Sequence, residues 1–315
     1  MREVIHLRCQ LRIACYFALA MFSLPALLVA NVPQPCGPGV VVKLSAPESS
    51  QGSLLLLEVR SDQPIADLSA EWNGKNVAFW QATNPSSDSK ASAVDLRRAL
   101  LGVDLEKPAG SYPVSVHVQS AGAKPTTCSL EVAVRLGKFA TESLHVDKEF
   151  VEPSPEQIKR ANEERDRLRE IFDQVTPQKL WAGGFRVPLD DVSTGGNFGK
   201  RRILNGQPGS PHSGVDFPAA TGTPVHAAQA GRVVLAQELF FSGNTVVVDH
   251  GLGIYTFYGH LSAIDVKAGD EVQSGQVLGK VGATGRVTGP HLHWGLTVER
   301  ARVNPLQLIS LLQND

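Results

Sequence analysis

The sequence predicts a mainly β protein in which a short helical connector joins two β-rich regions. Short apolar or alternating segments, separated by Gly, Pro and Asn, recur through most of the chain, which is the pattern of strands and turns. Glycine is distributed unevenly, since eight of the 29 glycines precede residue 150 and 21 lie from Gly183 onward. The chain of 315 residues is roughly twice the length of a typical domain, which favours two domains.

The composition is that of a globular protein without a strong charge bias. Hydrophobic residues make up 42% of the chain and charged residues 19%. Lys and Arg number 30, Asp and Glu number 31, and the formal net charge is −1. A chain so close to neutrality has no general attraction for nucleic acid, so we expect no nucleic-acid partner.

Residues 1–30 are predicted to be a secretion signal. Three arginines precede an uncharged stretch, Ile13–Ala30, which ends in small residues, and this is the pattern of a signal peptide cleaved after Ala30. The alternative is an uncleaved anchor helix, although 18 residues with an internal proline are short for a membrane span. Both interpretations export the remaining chain, to the periplasm or cell envelope or into the medium. Only the second keeps it at a membrane.

The cysteines agree with export. Cys9 and Cys15 fall inside the predicted signal, which leaves Cys36 and Cys128 in the mature chain. Two cysteines in an exported protein predict one disulfide. The alternative is that both remain unpaired thiols.

Residues 32–136 are predicted to form an immunoglobulin-like β-sandwich. The predicted strands are 40–44, 54–59, 68–72, 77–80, 112–118 and 128–134, with turn residues between them. Many short strands within about 100 residues are typical of that fold. Trp72 and Trp80 could line a sugar site, but large aromatic residues in strands more often belong to the core, and we expect them there.

Residues 137–180 are predicted to be a linker that contains one helix at about 155–175. Ser154 suits the N-cap, Pro155 suits the first turn, and Gln157 can complete a capping box. Apolar residues then recur at helical spacing while the opposite face is charged. We therefore expect a solvated helix that packs one stripe on a domain, since a coiled coil would need more heptads.

Residues 181–315 are predicted to form a glycine-rich antiparallel β domain. The predicted strands are 225–234, 244–249, 254–258, 277–281 and 291–298. Gly251, Leu252 and Gly253 are predicted to make a tight turn between two of these strands.

Six of the nine histidines lie between residues 212 and 293, and they carry the candidate chemistry. His291 and His293 are two apart on a predicted strand, so their side chains point to one side. His212 and Asp216 would stand about 13 Å apart on an extended strand. The chain must therefore bend between them if they share a metal, and Gly214 permits that bend. Two imidazoles and one carboxylate suit Zn²⁺, with a fourth position left for water in a catalytic site.

Taken together, these motifs resemble the lysostaphin/LytM-type zinc metallopeptidases, which cut peptidoglycan peptides and have a duplicated hybrid motif-like β fold. The resemblance covers residues 194–305, about a third of the chain. It rests on these motifs: Asn197-Phe198-Gly199-Lys200-Arg201, His212-Ser213-Gly214-Val215-Asp216, Gly222-Thr223-Pro224-Val225, Gly243-Asn244-Thr245-Val246, Asp249-His250-Gly251, Tyr258-Gly259-His260-Leu261, 272–279 and 284–294. A minor departure is Gly259, where alanine is more usual.

The resemblance implies one Zn²⁺ per chain, held by His212, Asp216 and His293. It also implies that His260 and His291 are catalytic residues that line the attacking water and the scissile carbonyl. It leaves open which of the two is the general base. All five positions are present, in contrast to degenerate family members that lack ligands and activate other hydrolases.

The implied function is that of an exported zinc metallo-endopeptidase. Its substrate would be peptidoglycan stem peptides or cross-bridges, and its role would be cell-wall remodelling. The alternative is a non-catalytic envelope protein whose zinc-binding fold recognises the wall or a partner hydrolase. The N-terminal sandwich would bind the wall or an envelope partner, hold the enzyme in place, or shade the cleft. His226 and His250 are expected to be structural residues of the fold.

Overall fold

The computed structural model describes residues 32–82, 95–190 and 195–313, and these residues are mostly β structure. The described residues form one compact unit. The secretion signal predicted for residues 1–30 lies outside the described ranges. Within those ranges, no helix combines the length and apolar character needed to cross a bilayer.

The first β region consists of two five-stranded sheets. Its strands are β1 (Gln34–Pro35), β2 (Val40–Leu44), β3 (Glu48–Ser50), β4 (Leu54–Ser61), β5 (Ile65–Trp72), β6 (Lys75–Asn76), β7 (Trp80–Gln81), β8 (Asp95–Gly102), β9 (Gly110–Ser120) and β10 (Thr126–Arg135). One sheet has the order β1-β2-β4-β8-β7 and the other β3-β10-β9-β5-β6. Pairing is antiparallel except between β3 and β10, which are parallel. The two-sheet sandwich predicted from the sequence is confirmed.

The sandwich core lies between the two sheets. In β9, Val114, Val116 and Val118 are buried in that core, while the residues between them face outward. Trp72 is also buried there, with 2% of its surface exposed. The predicted core position of this tryptophan is therefore confirmed.

The predicted disulfide is present between Cys36 and Cys128, whose Cα atoms are 5.4 Å apart. Cys36 precedes β2 of one sheet, and Cys128 lies in β10 of the other. The bond therefore ties the two sheets of the sandwich together.

Strands β4 and β8 differ from the rest because the sheet they share is covered on both faces. Leu55 and Leu57 belong to the sandwich core, whereas Leu54 and Leu56 belong to a second core shared with the C-terminal region. Paired to them, β8 divides its residues between the same two cores. Strand β8 was not predicted from the sequence, because a strand buried on both faces lacks the alternation of apolar and polar residues. A strand was also predicted at 77–80, but of those residues only Trp80 lies in a strand, β7.

The connector contributes a strand, a 3₁₀ turn and a helix. They are β11 (Thr141–Leu144), the turn Lys148–Phe150 and α1 (Pro155–Asp173). The capping box is confirmed: Ser154 Oγ accepts the Gln157 backbone N–H at 3.3 Å, and Gln157 Oε1 accepts the Ser154 N–H at 2.8 Å. Leu168, Ile171 and Phe172 of α1 pack on the C-terminal sheet, as the helical spacing predicts.

The C-terminal region is built around one antiparallel sheet. Its elements are β12 (Arg201–Leu204), β13 (Gln207–Pro208), β14 (Gly214–Pro218), β15 (Pro224–His226), β16 (Gly231–Leu239), β17 (Gly243–Asp249), β18 (Ile254–Ile264), β19 (Glu271–Val272), β20 (Val277–Val281), β21 (His291–Val298), β22 (Ala301–Val303) and α2 (Pro305–Leu311). The main path runs β14-β21-β18-β17-β16-β19, with β15, β20 and β22 at its sides. β12 instead joins β11, in parallel, and β13 in a small separate sheet.

One strand prediction in this region is wrong. The single strand expected at 225–234 is two strands, β15 and β16, with a bend between them. The bend is needed because β15 pairs with β20 while β16 pairs with β17. The predicted turn at Gly251, Leu252 and Gly253 is confirmed, with φ values of +82°, +55° and +74° between β17 and β18.

The two β regions contact each other through apolar packing and a bidentate ion pair. Leu54, Leu56 and Trp80 share the second core with α2 and the C-terminal sheet, so Trp80 is a core residue as predicted. At the edge of this contact, the Arg302 guanidinium donates to both carboxylate oxygens of Asp104, at 2.7 and 3.0 Å. The two regions are therefore joined by direct contacts as well as by the connector.

We expect a chain that lacks residues 1–30, isolated without reductant from an oxidising compartment and then denatured, to contain no alkylatable thiol. The bond closes a segment with a sequence separation of 92 residues. Reduction should therefore lower the free energy of unfolding, by at most about 4–5 kcal/mol in the chain-entropy model. Denaturant titration with and without reductant measures this. The Cys36→Ser/Cys128→Ser double variant, which should not respond to reductant, is the control, and two reactive thiols in the non-reduced chain would contradict the prediction.

Candidate active site

The pairing of β14 with β21 brings together three of the side chains that the sequence singled out. Asp216 lies directly opposite His293 in this antiparallel pair. His212 precedes β14 and reaches the same point. His212 Nε2 lies 2.9 Å from His293 Nδ1 and 3.0 Å from Asp216 Oδ1, and these last two atoms are 2.9 Å apart.

His212 reaches Asp216 because the chain before β14 is held against a neighbouring loop. The His212 backbone N–H donates to the Lys200 carbonyl at 2.9 Å, and its carbonyl accepts the Gly199 N–H at 2.8 Å. These bonds keep His212 out of the regular strand, so the separation of about 13 Å expected for an extended segment does not arise. The bend that the sequence analysis required is therefore present.

Gly214 leaves the space that the His293 ring occupies. A Cβ atom at Gly214 would stand 2.6 Å from His293 Cε1 and 2.7 Å from both His293 Nε2 and the Trp294 carbonyl oxygen. Because one of these atoms belongs to the backbone of the paired strand, a side chain rotation could not relieve the contact. Only glycine fits beneath this imidazole.

The three residues offer atoms that suit a bound cation. His212 Nδ1 lies 2.9 Å from the Asn197 carbonyl and donates to it, so Nε2 is the nitrogen of His212 that remains for a metal. With Asp216 Oδ1 and His293 Nδ1, three potential ligand atoms therefore converge on one point. Ligands around tetrahedral Zn²⁺ stand about 3.4 Å apart, only slightly wider than the distances here. His212, Asp216 and His293 could hold one metal ion.

Asn197 and Arg202 orient the carboxylate of this cluster. Asn197 Nδ2 donates to Asp216 Oδ2 at 3.1 Å, and Asn197 Oδ1 accepts the Asp216 backbone N–H at 3.2 Å. Arg202 Nη2 donates to the same Oδ2 at 3.2 Å, which leaves Oδ1 for the two imidazoles. Burial favours a higher pKa for Asp216, but its contacts with His212 and His293 outweigh burial and hold that pKa far below its usual range.

The sequence analysis assigned no role to Asn197 or Arg202. Asn197 adopts a φ of +66°, a conformation that asparagine tolerates better than most residues. It belongs to one of the motifs on which the family resemblance rests, and that was the signal available for it.

His260 and His291 stand beside the three-residue cluster with their rings close together. Their centroids are 4.9 Å apart, and the His260 ring lies 5.9 Å from that of His293. His291 Nε2 is 3.7 Å from Asp216 Oδ1. His260 Nδ1 donates to the Thr284 carbonyl and His291 Nδ1 to that of Gly289, each at 2.8 Å. The Nε2 atoms of both rings thus remain for other groups.

An irregularity in β18 sets the direction of His260. The pairing of β17 with β18 shifts register at this point, and His260 adopts a φ of +64°. Its backbone N–H donates to the Ser242 carbonyl at 2.7 Å instead of following the ladder. Burial, together with the charges of His293 and His291, lowers the pKa of His260 to about 3, so this ring is neutral near neutral pH.

Two cavities, of about 230 and 290 Å³, meet at these histidines. The first lies on the side of Asp216 and His291 and is bordered by β11 of the connector. The second lies on the side of His212 and His293. Arg202, His260 and Arg286 line both cavities. A chain that occupied both would therefore pass over the cluster.

The two remaining histidines of this region are held by the fold, as expected. His226 Nδ1 donates to the Gly275 carbonyl at 2.9 Å. His250 is fully buried, between the Ala230 carbonyl and the Thr256 hydroxyl, each 2.7 Å away. Burial lowers the pKa of His250 to about 4.

Comparison with known proteins points to one peptidase family. The sequence family described as "Peptidase family M23" matches residues 210–305. Peptidoglycan DD-endopeptidase ShyA of Vibrio cholerae serotype O1 is 34% identical over 200 residues, which are 62% of this chain and 42% of that protein. DD-carboxypeptidase/endopeptidase Mpg of Neisseria meningitidis serogroup B is 38% identical over 127 residues, 40% of this chain and 29% of Mpg. The chain thus spans less than half the length of these curated relatives.

A solved structure resembles most of the chain. A putative peptidase M23 from Pseudomonas aeruginosa has a TM-score of 0.55 and 29% identity, and the match covers 82% of this chain and 94% of that one. The similarity therefore extends well beyond residues 210–305.

We expect Gly214→Ala to weaken metal binding, because its Cβ would overlap both the His293 ring and the Trp294 carbonyl. Overpacking of this kind typically also costs about 1–3 kcal/mol of stability. Zinc content after dialysis and thermal unfolding would measure the two effects. Gly196→Ala is the matched control, since a Cβ there meets nothing within 4 Å. Full zinc content in Gly214→Ala would show that the space beneath His293 is not required.

Proposed function

We propose that this protein is an exported zinc metallo-endopeptidase of the lysostaphin/LytM type, because residues 210–305 match peptidase family M23. Its proposed substrates are peptide bonds in peptidoglycan stem peptides or cross-bridges, and its proposed role is wall remodelling. The relatives named as peptidoglycan endopeptidases support the substrate class. The observation that carries the proposal is the convergence of one carboxylate and two imidazole acceptor atoms within 3.0 Å of one another.

We assign His212, Asp216 and His293 as the ligands of one Zn²⁺ per chain. The donor set fits this ion, because zinc sites that catalyse hydrolysis use three nitrogen or carboxylate ligands and leave a position open. The hydrogen bonds that Asn197 and Arg202 donate to Asp216, and the bond that His212 donates to the Asn197 carbonyl, support the assignment, since ligand carboxylates and imidazoles are usually oriented by such outer contacts. When bound, Zn²⁺ would act as a Lewis acid toward the substrate carbonyl and make water a better nucleophile at neutral pH.

We assign His260 and His291 as catalytic residues. Each ring donates through Nδ1 to a backbone carbonyl, which fixes its tautomer and leaves Nε2 as the atom that can act on substrate. One would accept a proton from the attacking water through Nε2, and the other, when it is protonated on both nitrogens, would donate a hydrogen bond from Nε2 to the developing oxyanion. The two cavities that meet at these rings would hold the peptide on either side of the scissile bond.

The rest of the chain is assigned around this site. Residues 1–30 would direct export, which agrees with the extracytoplasmic action suggested by the wall-acting relatives. Residues 181–315 would be the catalytic domain, and residues 137–180 the connector. The sandwich at residues 32–136 would hold the catalytic domain in place through the second core and offer a surface to an envelope partner.

We expect the wild-type protein to contain one zinc per chain and to release peptide fragments from purified sacculi. His293→Ala removes one of three proposed ligands, so zinc content after dialysis should fall far below one per chain. His226→Ala is the control, because that imidazole contacts other parts of the fold. Metal analysis and product masses provide the two measurements. Stoichiometric zinc in His293→Ala would overturn the ligand assignment, and a zinc-loaded wild type that never cleaves wall peptide would favour a binding module.

His260→Ala and His291→Ala should keep zinc and the fold but lose about 10²–10⁴-fold in cleavage rate, because they remove groups that move protons or stabilise an oxyanion. Zinc content, thermal unfolding and sacculus digestion compare the variants with wild type. Loss of zinc from His291→Ala would instead make His291 a ligand. Undiminished cleavage by both variants would assign water activation to another group.

A further inference from the structure

Arg286 is a cationic side chain at the candidate site, and it has no role in the proposed mechanism. Its guanidinium carbon lies 4.6 Å from the centroid of the Phe241 ring, and the residue lines both cavities. Among residues 32–82, 95–190 and 195–313, no carboxylate pairs with this guanidinium. Arg286 is half-buried, so its charge is partly withdrawn from water without a compensating anion.

Arg202 adds a second cation beside Arg286. Its Nη2 donates to Asp216 Oδ2, but its Nε is buried and has no hydrogen-bond partner in the described structure. Both arginines line the two cavities, and burial together with the charge of Arg202 lowers the pKa of Arg286 from its usual value. An anion between or beside them would offset these charges and supply the missing hydrogen bonds.

The charge balance at the rim of the site favours an anionic ligand. The other nearby carboxylate, that of Glu142, is paired with Lys200 at 2.8 Å, so it does not neutralise Arg286. Asp216 is paired with Arg202 and with the histidines of the site. A divalent metal on the three-residue cluster would add further positive charge. The cleft as a whole is therefore cationic where a peptide would lie.

We propose that Arg286, supported by Arg202, binds a carboxylate of the peptide next to the scissile bond and makes acidic peptides the preferred substrates. A guanidinium presents paired donors in the geometry that matches a carboxylate, and stacking on Phe241 holds its plane. The carboxylate can come from a side chain or from the C-terminus of the peptide, since both present the same group. This inference rests on the proposed function, because it concerns the same cleft.

Four synthetic peptides separate these two sources. The bond cleaved in sacculi is located first from product masses, and each peptide spans that bond. The residue beside the bond carries either a side-chain carboxylate or its amide, and the C-terminus is either a free acid or an amide. For the wild type, kcat/KM should be at least about tenfold higher for a carboxylate peptide than for the doubly amidated one, as expected for a charge-assisted bidentate contact.

Arg286→Gln should reduce this ratio of kcat/KM values toward one, and Arg286→Lys should give an intermediate ratio because it keeps the charge but not the paired donors. Arg232→Gln is the matched control. It removes one positive charge from an exposed position on β16 of the C-terminal sheet, where Arg232 stands 3.6 Å from Glu271. Zinc content and thermal unfolding, measured on every variant, separate a change in preference from a loss of the site.

The outcomes distinguish this inference from the proposed function. If the wild type cleaves all four peptides equally, or if Arg286→Gln keeps the wild-type ratio, Arg286 only packs against Phe241 and the inference fails while the peptidase assignment stands. If the wild type cleaves none of the peptides and no sacculi, the proposed function fails. The bond-spanning peptides cannot then be designed, so calorimetric binding of wall stem peptides in acid and amide forms decides the inference, which requires tighter binding of a carboxylate peptide than of its amide by wild type but not by Arg286→Gln.

Discussion

The site depends above all on the register between β14 and β21. Side chains along a strand alternate between its faces, so a slip of one residue would move Asp216 away from His293 and turn one of them to the opposite side. Gly214 makes the register possible, because no side chain could stand beneath the His293 ring. The geometry of the three acceptor atoms is thus fixed by backbone pairing, which is far stiffer than a loop. Rigid placement of this kind is what a site with narrow distance requirements needs.

Hydrogen bonds to backbone carbonyls determine which imidazole nitrogens face the candidate site. The Asn197 carbonyl, the Thr284 carbonyl and the Gly289 carbonyl each accept from the Nδ1 atom of a different histidine. His293 is the exception, since its Nδ1 faces the cluster and its Nε2 lies over Gly214. Two of the residues that make these hydrogen bonds, Asn197 and His260, adopt positive φ values, a cost that folded proteins often accept at functional sites.

Much of the fold could be predicted because it depends on local patterns in the sequence. The alternation in β9, the capping box at Ser154 and the turn at 251–253 each follow from nearby residues, and the disulfide followed from the count of cysteines outside the predicted signal. The clustering of histidines drew attention to this region, and the family resemblance carried by the motifs around them implied the ligands and catalytic residues. Other features depend on contacts distant in sequence and could not be read in this way. They include the double burial of β8, the parallel pairing of β11 with β12 and the position of Arg202 and Arg286 beside the site.

The two-faced sheet formed by β4 and β8 also bears on how the molecule can come apart. Leu54, Leu56 and Leu100 of these strands belong to the core shared with the C-terminal sheet and α2. The bidentate ion pair between Arg302 and Asp104 lies at the edge of that contact. Cutting the chain within the connector would not yield two self-sufficient halves, because each would expose an apolar face that the other now covers. The sandwich is therefore better regarded as a fixed part of the structure that carries the candidate site than as a domain on a flexible tether.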